Sequence, residues 1–266
     1  METRKFLKSD RWEEWKKYET DQRKGVPPPP PQKSYPEGAT LIDLLAPGEL
    51  TIGQMPVIEA IRRRRSRREF TEEPLTLEEL SFLLWATQGI DEGATQAFGD
   101  WMATKDPAAV KAPAILRTVP SAGGRHPFET YLLVNRVCGL EPGLYRYLSV
   151  EHKLLFLRAG TELTEQVADA FMRWVQRSTL VFIWATIPYR TEWRYSMVAH
   201  KMIAQESGHV CQNLYLASEA IGAGTCAITY DQAKVDRILG VDGKDEFAIY
   251  VAPVGKVTLA EYHFDH

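Results

Sequence analysis

The chain has 266 residues, of which 44% are hydrophobic and 25% charged, with a formal net charge of −3 and a pI near 6.1. These values suit a folded protein with a sizeable core, and the acidic balance argues against generic nucleic-acid binding, which needs a basic face across the domain. Cys138, Cys211 and Cys226 are too scattered for a disulfide framework and suggest a reducing compartment. The charged start of the chain has no apolar leader, and the apolar run at 180–187 is far short of the ~20 residues of a membrane span. A cytoplasmic protein with neither membrane nor nucleic-acid partners is expected.

Residues 1–24 mix Lys, Arg, Glu and Asp with the aromatics Phe6, Trp12, Trp15 and Tyr18, and Pro27–Pro31 follows. Such a run favours a stiff polyproline II arm, which either leads into the fold or serves as a ligand for a proline-binding domain. The aromatics imply that the arm packs against something, such as a partner subunit. We expect an N-terminal extension over 1–50 and the main domain over 51–266.

A first helix is predicted over 56–64, with Pro56 in its first turn. Thr76 and Glu79 make a capping-box pattern for a second, with Leu77, Leu80 and Leu84 on one face and Gly89 as its stop. Residues 91–113 have no steady period and read as a loop or lid. Strands follow at 130–137, 144–148 and 153–157, then a helix over 162–176. The apolar run 179–187 reads as a central strand. A long helix is expected over 192–221, where Ile203, Val210, Leu214, Ala217 and Ile221 form a core-facing stripe. A short strand at 225–229, a helix at 232–239 and a strand at 246–254 close the pattern. The whole reads as α+β, a sheet covered by helices.

The most informative local feature is Arg62–Arg68, six arginines in seven residues, broken only by Ser66. A nucleic-acid or localisation patch is one reading, which the acidic whole-chain balance opposes. A solvated helix face paired with Glu69, Glu72, Glu73 and Glu78 is another. The third is a phosphate site, since guanidinium forks and a serine hydroxyl suit a group with strong acceptor oxygens. The chain has no G-x-x-x-x-G-K-[ST] loop and no complete G-x-G-x-x-G; Gly222–Ala223–Gly224 is only a fragment. Small-residue turns recur at Pro120–Gly124 and Gly224–Ile228, where backbone can approach a flat ligand, and Val254–Gly255–Lys256 ends the last strand with a cation.

In this order these pieces resemble the nitroreductase superfamily of FMN-dependent oxidoreductases, and within it the SagB-type dehydrogenases. The resemblance runs from about Pro56 to Lys256. It is carried by R-R-S-R-R-E-F, P-L-T-L-E-E-L-S-F-L-L-W-A-T-Q-G-I, R-T-V-P-S-A-G-G-R-H-P-F-E-T-Y-L, E-S-G-H-V-C-Q-N-L-Y-L-A-S-E-A-I-G-A-G-T-C-A-I and V-A-P-V-G-K. It implies a nitroreductase-like fold, a mixed or antiparallel sheet between helical layers. It also implies an obligate homodimer with FMN at the subunit interface and terminal arms crossing to the partner; a large interface of that kind would employ the seven tryptophans. By the same resemblance Arg64, Arg65, Ser66 and Arg68 hold the FMN phosphate, with Gly255 and Lys256 as further cofactor contacts. Pro120, Ser121, Ala122 and Gly123 line the isoalloxazine, usually from the partner, and Cys226, Ala227 and Ile228 lie beside its N5 edge. The remaining arginines, Arg62, Arg63 and Arg67, fall to the solvated face, and Cys226 reads as a packing residue.

The implied activity is ping-pong hydride transfer through flavin N5, from NAD(P)H or another donor to a small acceptor, nitroaromatic or quinone-like. Azoline-to-azole oxidation of modified peptides is the alternative, and a flavin-binding module without turnover is a second. Azoline-oxidising members carry a Lys-Tyr pair before the long helix, where this chain has Arg194–Tyr195. Tyr195 can still donate a proton, but Arg194 cannot replace lysine as a base, because guanidinium stays protonated. These two are the candidate catalytic residues. His200 and His209 have no metal-ligand spacing, so no metal is expected; Gln212 and Asn213 could bond the flavin or cap a buried polar group.

Overall fold

The computed structural model describes residues 2–105 and 115–258. Its centre is a seven-stranded sheet in the order β1-β4-β3-β2-β5-β7-β6, every neighbouring pair antiparallel. The strands are β1 (Leu41–Asp43), β2 (Phe128–Val134), β3 (Gly143–Leu148), β4 (Lys153–Arg158), β5 (Leu180–Thr186), β6 (Ala223–Thr225) and β7 (Phe247–Lys256). Strands β2 and β5 lie at the middle and are buried along their whole length. Successive side chains on a strand point to opposite faces, so these two strands feed two separate cores. Leu132, Phe182 and Trp184 join one cluster, while Tyr131, Leu133, Val181 and Ile183 join the other.

Two helices cover the first face: α3 (Leu77–Gln88) through Leu80, Leu83 and Leu84, and α8 (Ala199–Ala220) through Ile203, Val210, Leu214 and Ala217. The second face is covered by α5 (Thr161–Ala170), α6 (Arg173–Gln176) and α9 (Gln232–Leu239), through Leu163, Val175, Val235 and Ile238. The result is the three-layer α+β arrangement expected, with an antiparallel sheet. The capping box is present, with Glu79 N–H donating to Thr76 Oγ1 at 3.1 Å and Thr76 N–H to Glu79 Oε2 at 2.9 Å. Helix α2 (Val57–Arg63) ends directly before the remaining arginines of the run.

Three elements differ from expectation. Residues 92–105 form a helix, α4 (Glu92–Lys105), where a loop or lid was expected; Asp91 caps it, its Oδ1 accepting from Ala94 N–H at 2.8 Å. Gly93 and Gly99 and a largely exposed surface hid its period. The remainder of that segment, 106–113, lies outside the described residues. The expected helix over 162–176 breaks at Phe171 and Met172, both in extended backbone, as Phe171 turns into the core. The expected helix over 192–221 is also two, α7 (Tyr189–Tyr195) and α8, separated by a single turn that begins at Ser196, φ 44 and ψ −124.

The proline arm runs along its own chain. Prolines have no N–H to donate, so the arm's carbonyls face buried donors. Arg190 Nε donates to Pro30 O at 3.0 Å, Arg117 Nη2 to Pro31 O at 3.1 Å, and Arg146 Nη2 to Ser34 O at 2.8 Å. Trp193 Nε1 reaches Val26 O at 2.8 Å. Within the expected extension 1–50, β1 adds an edge strand to the sheet through Leu41↔Leu155 and Ile42↔Leu154. The tryptophans have uses within the chain: Trp184 is fully buried in the core, Trp193 is buried, and Trp15 stacks on Tyr195.

Candidate functional site

Downstream of α2 the arginine segment is fastened along the outer edge of β6. Ser66 and Thr225 form a parallel bridge, Arg67 N–H donates to Thr225 O at 3.0 Å, and Thr71 N–H to Lys256 O at 2.9 Å. The fit depends on glycine. A Cβ at Gly224 would lie 2.4 Å from Arg67 Cγ, and one at Gly255 would lie 2.8 Å from Phe70 Cγ. Gly255, expected at the cofactor, is thus the seat of Phe70.

This docking brings the arginine run and Cys226–Ile228 together around Tyr215 of α8. The Tyr215 hydroxyl accepts from Ala227 N–H at 2.8 Å and lies 3.3 Å from the Ser66 hydroxyl, while the Arg64 guanidinium lies 5.4 Å from the Tyr215 ring centre. Arg64 and Arg65 are half-buried; Ser66 and Arg68 are exposed. Arg65 donates to the carbonyls of Arg62 and Arg64 at 2.9 and 2.8 Å. Among the described residues no carboxylate pairs with Arg64, Arg65 or Arg68. Arg67 departs from the expected solvated face. It is mostly buried and pairs with the buried Glu219 at 3.4 Å, with Arg63 on the same carboxylate at 3.7 Å. Only Arg62 of that expected trio is both exposed and without an ion pair among the described residues. Lys256 reaches the Ile221 carbonyl at 3.0 Å and pairs with Glu79 of the capping box. Cys226 is buried, with its Sγ 3.4 Å from Ala227 O.

The second group forms around the other end of α8. Glu206, buried, accepts from Ser121 Oγ and Ala122 N–H, both at 2.7 Å, and so pins the Pro120–Gly123 loop to the helix. Burial raises its carboxyl above the usual range despite those two donors. Pro120, Ser121, Ala122, Met202, Gln205, Glu206 and His209 line a cleft of about 220 Å³. Gly123 has φ 60, and a Cβ there would lie 2.8 Å from Tyr195 Oη and 2.9 Å from Arg194 Cδ. The loop and the two candidate catalytic residues are therefore in contact. His126, just beyond, is buried at φ 46. Burial and the charges of Arg117, Arg125 and Arg190 push its imidazole down to about 2, so it stays neutral.

The N-terminal segment, with helix α1 (Trp12–Lys17), lies over Tyr195. Trp15 stacks on its ring with centroids 5.8 Å apart, and Trp12 stacks on Trp15 at 4.5 Å. Lys201 of α8 holds the segment by donating to Leu7 O at 2.7 Å and Ser9 Oγ at 2.9 Å.

Glu206 and Tyr215 are nine residues apart on α8, about 13 Å along its axis. The arginine group and the Pro120 loop thus occupy different stretches of one helix within a protomer. The donor set of the first group suits a phosphate monoester, with three guanidiniums lacking a carboxylate beside a serine hydroxyl. The close approach of Gly123 to Arg194 and Tyr195 suits a loop that lines a flat group.

Sequence reasoning missed Tyr215, Glu206, Glu219 and Arg125. Glu219 gave no signal, since two residues after the core position Ala217 a helix turns its side chain away from the stripe. Asn213 caps the Ala86 carbonyl at 2.8 Å, and Gln212 is exposed.

Comparison with known proteins gives the family and the fold. The family model described as "Nitroreductase family" matches residues 61–256. The curated protein "Putative nitroreductase MJ1384" of Methanocaldococcus jannaschii is 31% identical over 213 residues, covering 76% of this chain and 95% of the relative. A crystal structure from Ralstonia eutropha JMP134, of a protein given the same description, superposes with a TM-score of 0.62 at 23% identity, covering 88% of this chain and 100% of that one. A Staphylococcus epidermidis structure described as "a putative NAD(P)H:FMN oxidoreductase" superposes with a TM-score of 0.51 at 13% identity, covering 79% of this chain and 91% of that one. At these identities the two structures speak for the fold.

Proposed function

The chain belongs to the nitroreductase family, and from that premise we propose that it is an FMN-dependent oxidoreductase, taking electrons from NAD(P)H and passing them to a small nitroaromatic or quinone-like acceptor. The observation that carries this reading is the set of three carboxylate-free guanidiniums, Arg64, Arg65 and Arg68, held with Ser66 beside Thr225–Ile228. FMN, when bound, supplies two-electron chemistry at N5. Arg64, Arg65, Ser66 and Arg68 would grip its phosphate, while Cys226–Ile228 and, from a partner subunit, Pro120–Gly123 would line its ring. Tyr215 orients the grip through its bonds to Ser66 and Ala227. Lys256 would need to leave Glu79 to touch the cofactor directly.

On the substrate side Tyr195 offers a hydroxyl beside Gly123, and Arg194 a fixed positive charge. Because guanidinium does not deprotonate, Arg194 stabilises or orients an anion rather than accepting a proton. This disfavours azoline oxidation by a lysine-type base. Arg194→Lys tests it directly, and a gain of azoline turnover would revive that alternative.

The cofactor reading predicts a yellow protein that releases FMN on denaturation and binds FMN at least tenfold tighter than riboflavin, measured by flavin fluorescence. Arg68 is exposed, so Arg68→Ala should weaken FMN by about tenfold, below the 2–5 kcal/mol of a broken buried pair. Equal affinity for FMN and riboflavin would return the arginines to a solvated face. FMN bound but reduced by no donor would leave a binding module.

A further inference from the structure

We propose that the mouth of this site binds a carboxylate of the substrate between the guanidiniums of Arg125 and Arg194. The oxidoreductase reading supplies the identification of that ligand as substrate; the binding itself stands on the geometry alone.

Arg190, Trp193 and Arg194 share one face of α7, three and four residues apart. Arg190 is neutralised there, its Nη2 2.5 Å from Glu129 Oε1, with both side chains 3% exposed. Arg125 lies against this face. Its Nε donates to the Arg190 carbonyl at 3.1 Å, and its guanidinium stacks 4.7 Å from the Trp193 ring centre. These contacts fix the guanidinium plane. Its terminal nitrogens bond nothing among the described residues, and neither do those of Arg194, whose guanidinium rests 5.5 Å from the Tyr195 ring centre.

The surrounding carboxylates are already engaged. Glu129 also accepts from Lys33 N–H at 2.7 Å, Glu192 bonds His200 at 2.7 Å, and Glu206 holds Ser121 and Ala122. Arg117, close enough to repel His126, spends itself on Gln88 and the Pro31 carbonyl. Three further buried nitrogens of the cluster, Arg117 Nε, Arg190 Nη1 and His126 Nε2, have no partner among the described residues. The fold thus sets Arg125 against the face of α7 that carries Arg194, with no counter-ion for either among the described residues. Burial and the charge of Arg194 both disfavour the charged form of Arg125. Keeping two like charges together costs free energy, and an oxyanion shared between two planar forks offsets that cost.

Tyr195 Oη, against the same glycine, adds a neutral donor. The Trp12–Trp15–Tyr195 stack presents flat apolar rings beside the pair. Flat walls next to a two-arginine fork suit a planar, carboxylate-bearing acceptor. Phosphates of a dinucleotide donor share the oxyanion chemistry, and the test separates the two.

The probes are benzoate and benzamide, titrated calorimetrically into the full-length protein with and without FMN, and 4-nitrobenzoate and 4-nitrobenzamide as electron acceptors. Benzoate should bind the native protein at least tenfold tighter than benzamide. Arg125→Gln and Arg194→Gln should each erase that preference, with Arg194→Lys restoring part of it, and the kcat/KM ratio of the two nitro compounds should fall in parallel. Arg194 makes no side-chain hydrogen bond within the described chain, so its variants are the less tied to folding. Equal binding of the two probes by the native protein overturns the proposal. So does an Arg125→Gln protein that keeps the benzoate preference while its KM for NAD(P)H rises tenfold, which would assign the pair to the donor's phosphates. Benzoate preference in a protein that binds no flavin keeps this inference and removes the oxidoreductase reading; flavin binding without the preference does the reverse.

Discussion

Single side chains decide how the two ends of α8 are built. Gly224 and Gly255 were visible in the sequence as small-residue turns, but their task was not, because it is defined by Arg67 and Phe70, more than a hundred residues away. Tyr215 escaped notice for the same reason: it is one more aromatic in a helical stripe until Ser66 and Ala227 fold onto its hydroxyl. His126 illustrates how burial writes a pH dependence. Its folded pKa is held near 2, far below the ordinary value of 6.5, by burial and neighbouring arginines. The unfolded chain therefore takes up a proton that the folded chain refuses. The stability that follows is complete above pH 6.5 and declines as pH falls toward the folded value. His126→Asn, which tolerates the left-handed backbone, should flatten the stability profile between pH 6.5 and 4.5, measured by urea unfolding at stepped pH. An unchanged slope would show that the imidazole is not the group responsible. Glu206 acts in the opposite sense. Its raised carboxyl contributes stability that is present below the ordinary carboxylate value and lost as pH rises through its folded pKa.

Among the elements, those with local signals were legible and those set by distant partners were not. The capping box fixed the start of α3, the stripe of Ile203, Val210, Leu214 and Ala217 fixed α8, and the apolar run of 180–186 fixed β5. The break between α7 and α8 had no signal in the sequence, because serine is not a residue that ordinarily marks positive φ. Ser196 at φ 44 and ψ −124 is strained and sits directly after Arg194–Tyr195. The strain aims those two side chains at Gly123 instead of letting α7 run straight into α8. Ser196→Gly should relieve it, raising stability by about 1 kcal/mol in chemical denaturation while loosening the Arg194–Tyr195 corner. A glycine variant no more stable than the native chain would mean that the backbone there is not strained. The helical character of α4 was concealed by its two glycines and exposed surface, so its cap at Asp91 was the one readable clue.

At the scale of the whole molecule, the three-layer order follows from two continuous apolar strands that need cover on both faces. The run of arginines announced an anion, but its meeting with Cys226–Ile228 depends on the β6–β7 edge, which no local pattern reveals. Helix α2 leaves Val57, Ile58 and Ile61 at 66%, 56% and 58% exposure, a contiguous apolar face beside the arginine segment. A homodimer of the kind that the family resemblance implies would have an apolar face to use here. Ile58→Asp with Ile61→Asp should halve the native mass in light scattering and release the flavin. A native protein already monomeric at micromolar concentration would rule out that use.

The segment from Ser66 to Thr71 also closes a border. Strand β6 is the last in the sheet, and Ser66 and Arg67 occupy its outer hydrogen-bonding row while Thr71 takes the carbonyl of Lys256. An uncovered row of that kind is a template for another chain. The residues proposed to grip the FMN phosphate are thus also the stopper on the sheet's open end. On the proposed cofactor reading, an empty site would leave Arg64, Arg65 and Arg68 without a counter-ion and pull at that stopper, which would couple cofactor loading to colloidal behaviour: preparations short of flavin are the ones that should clump on storage.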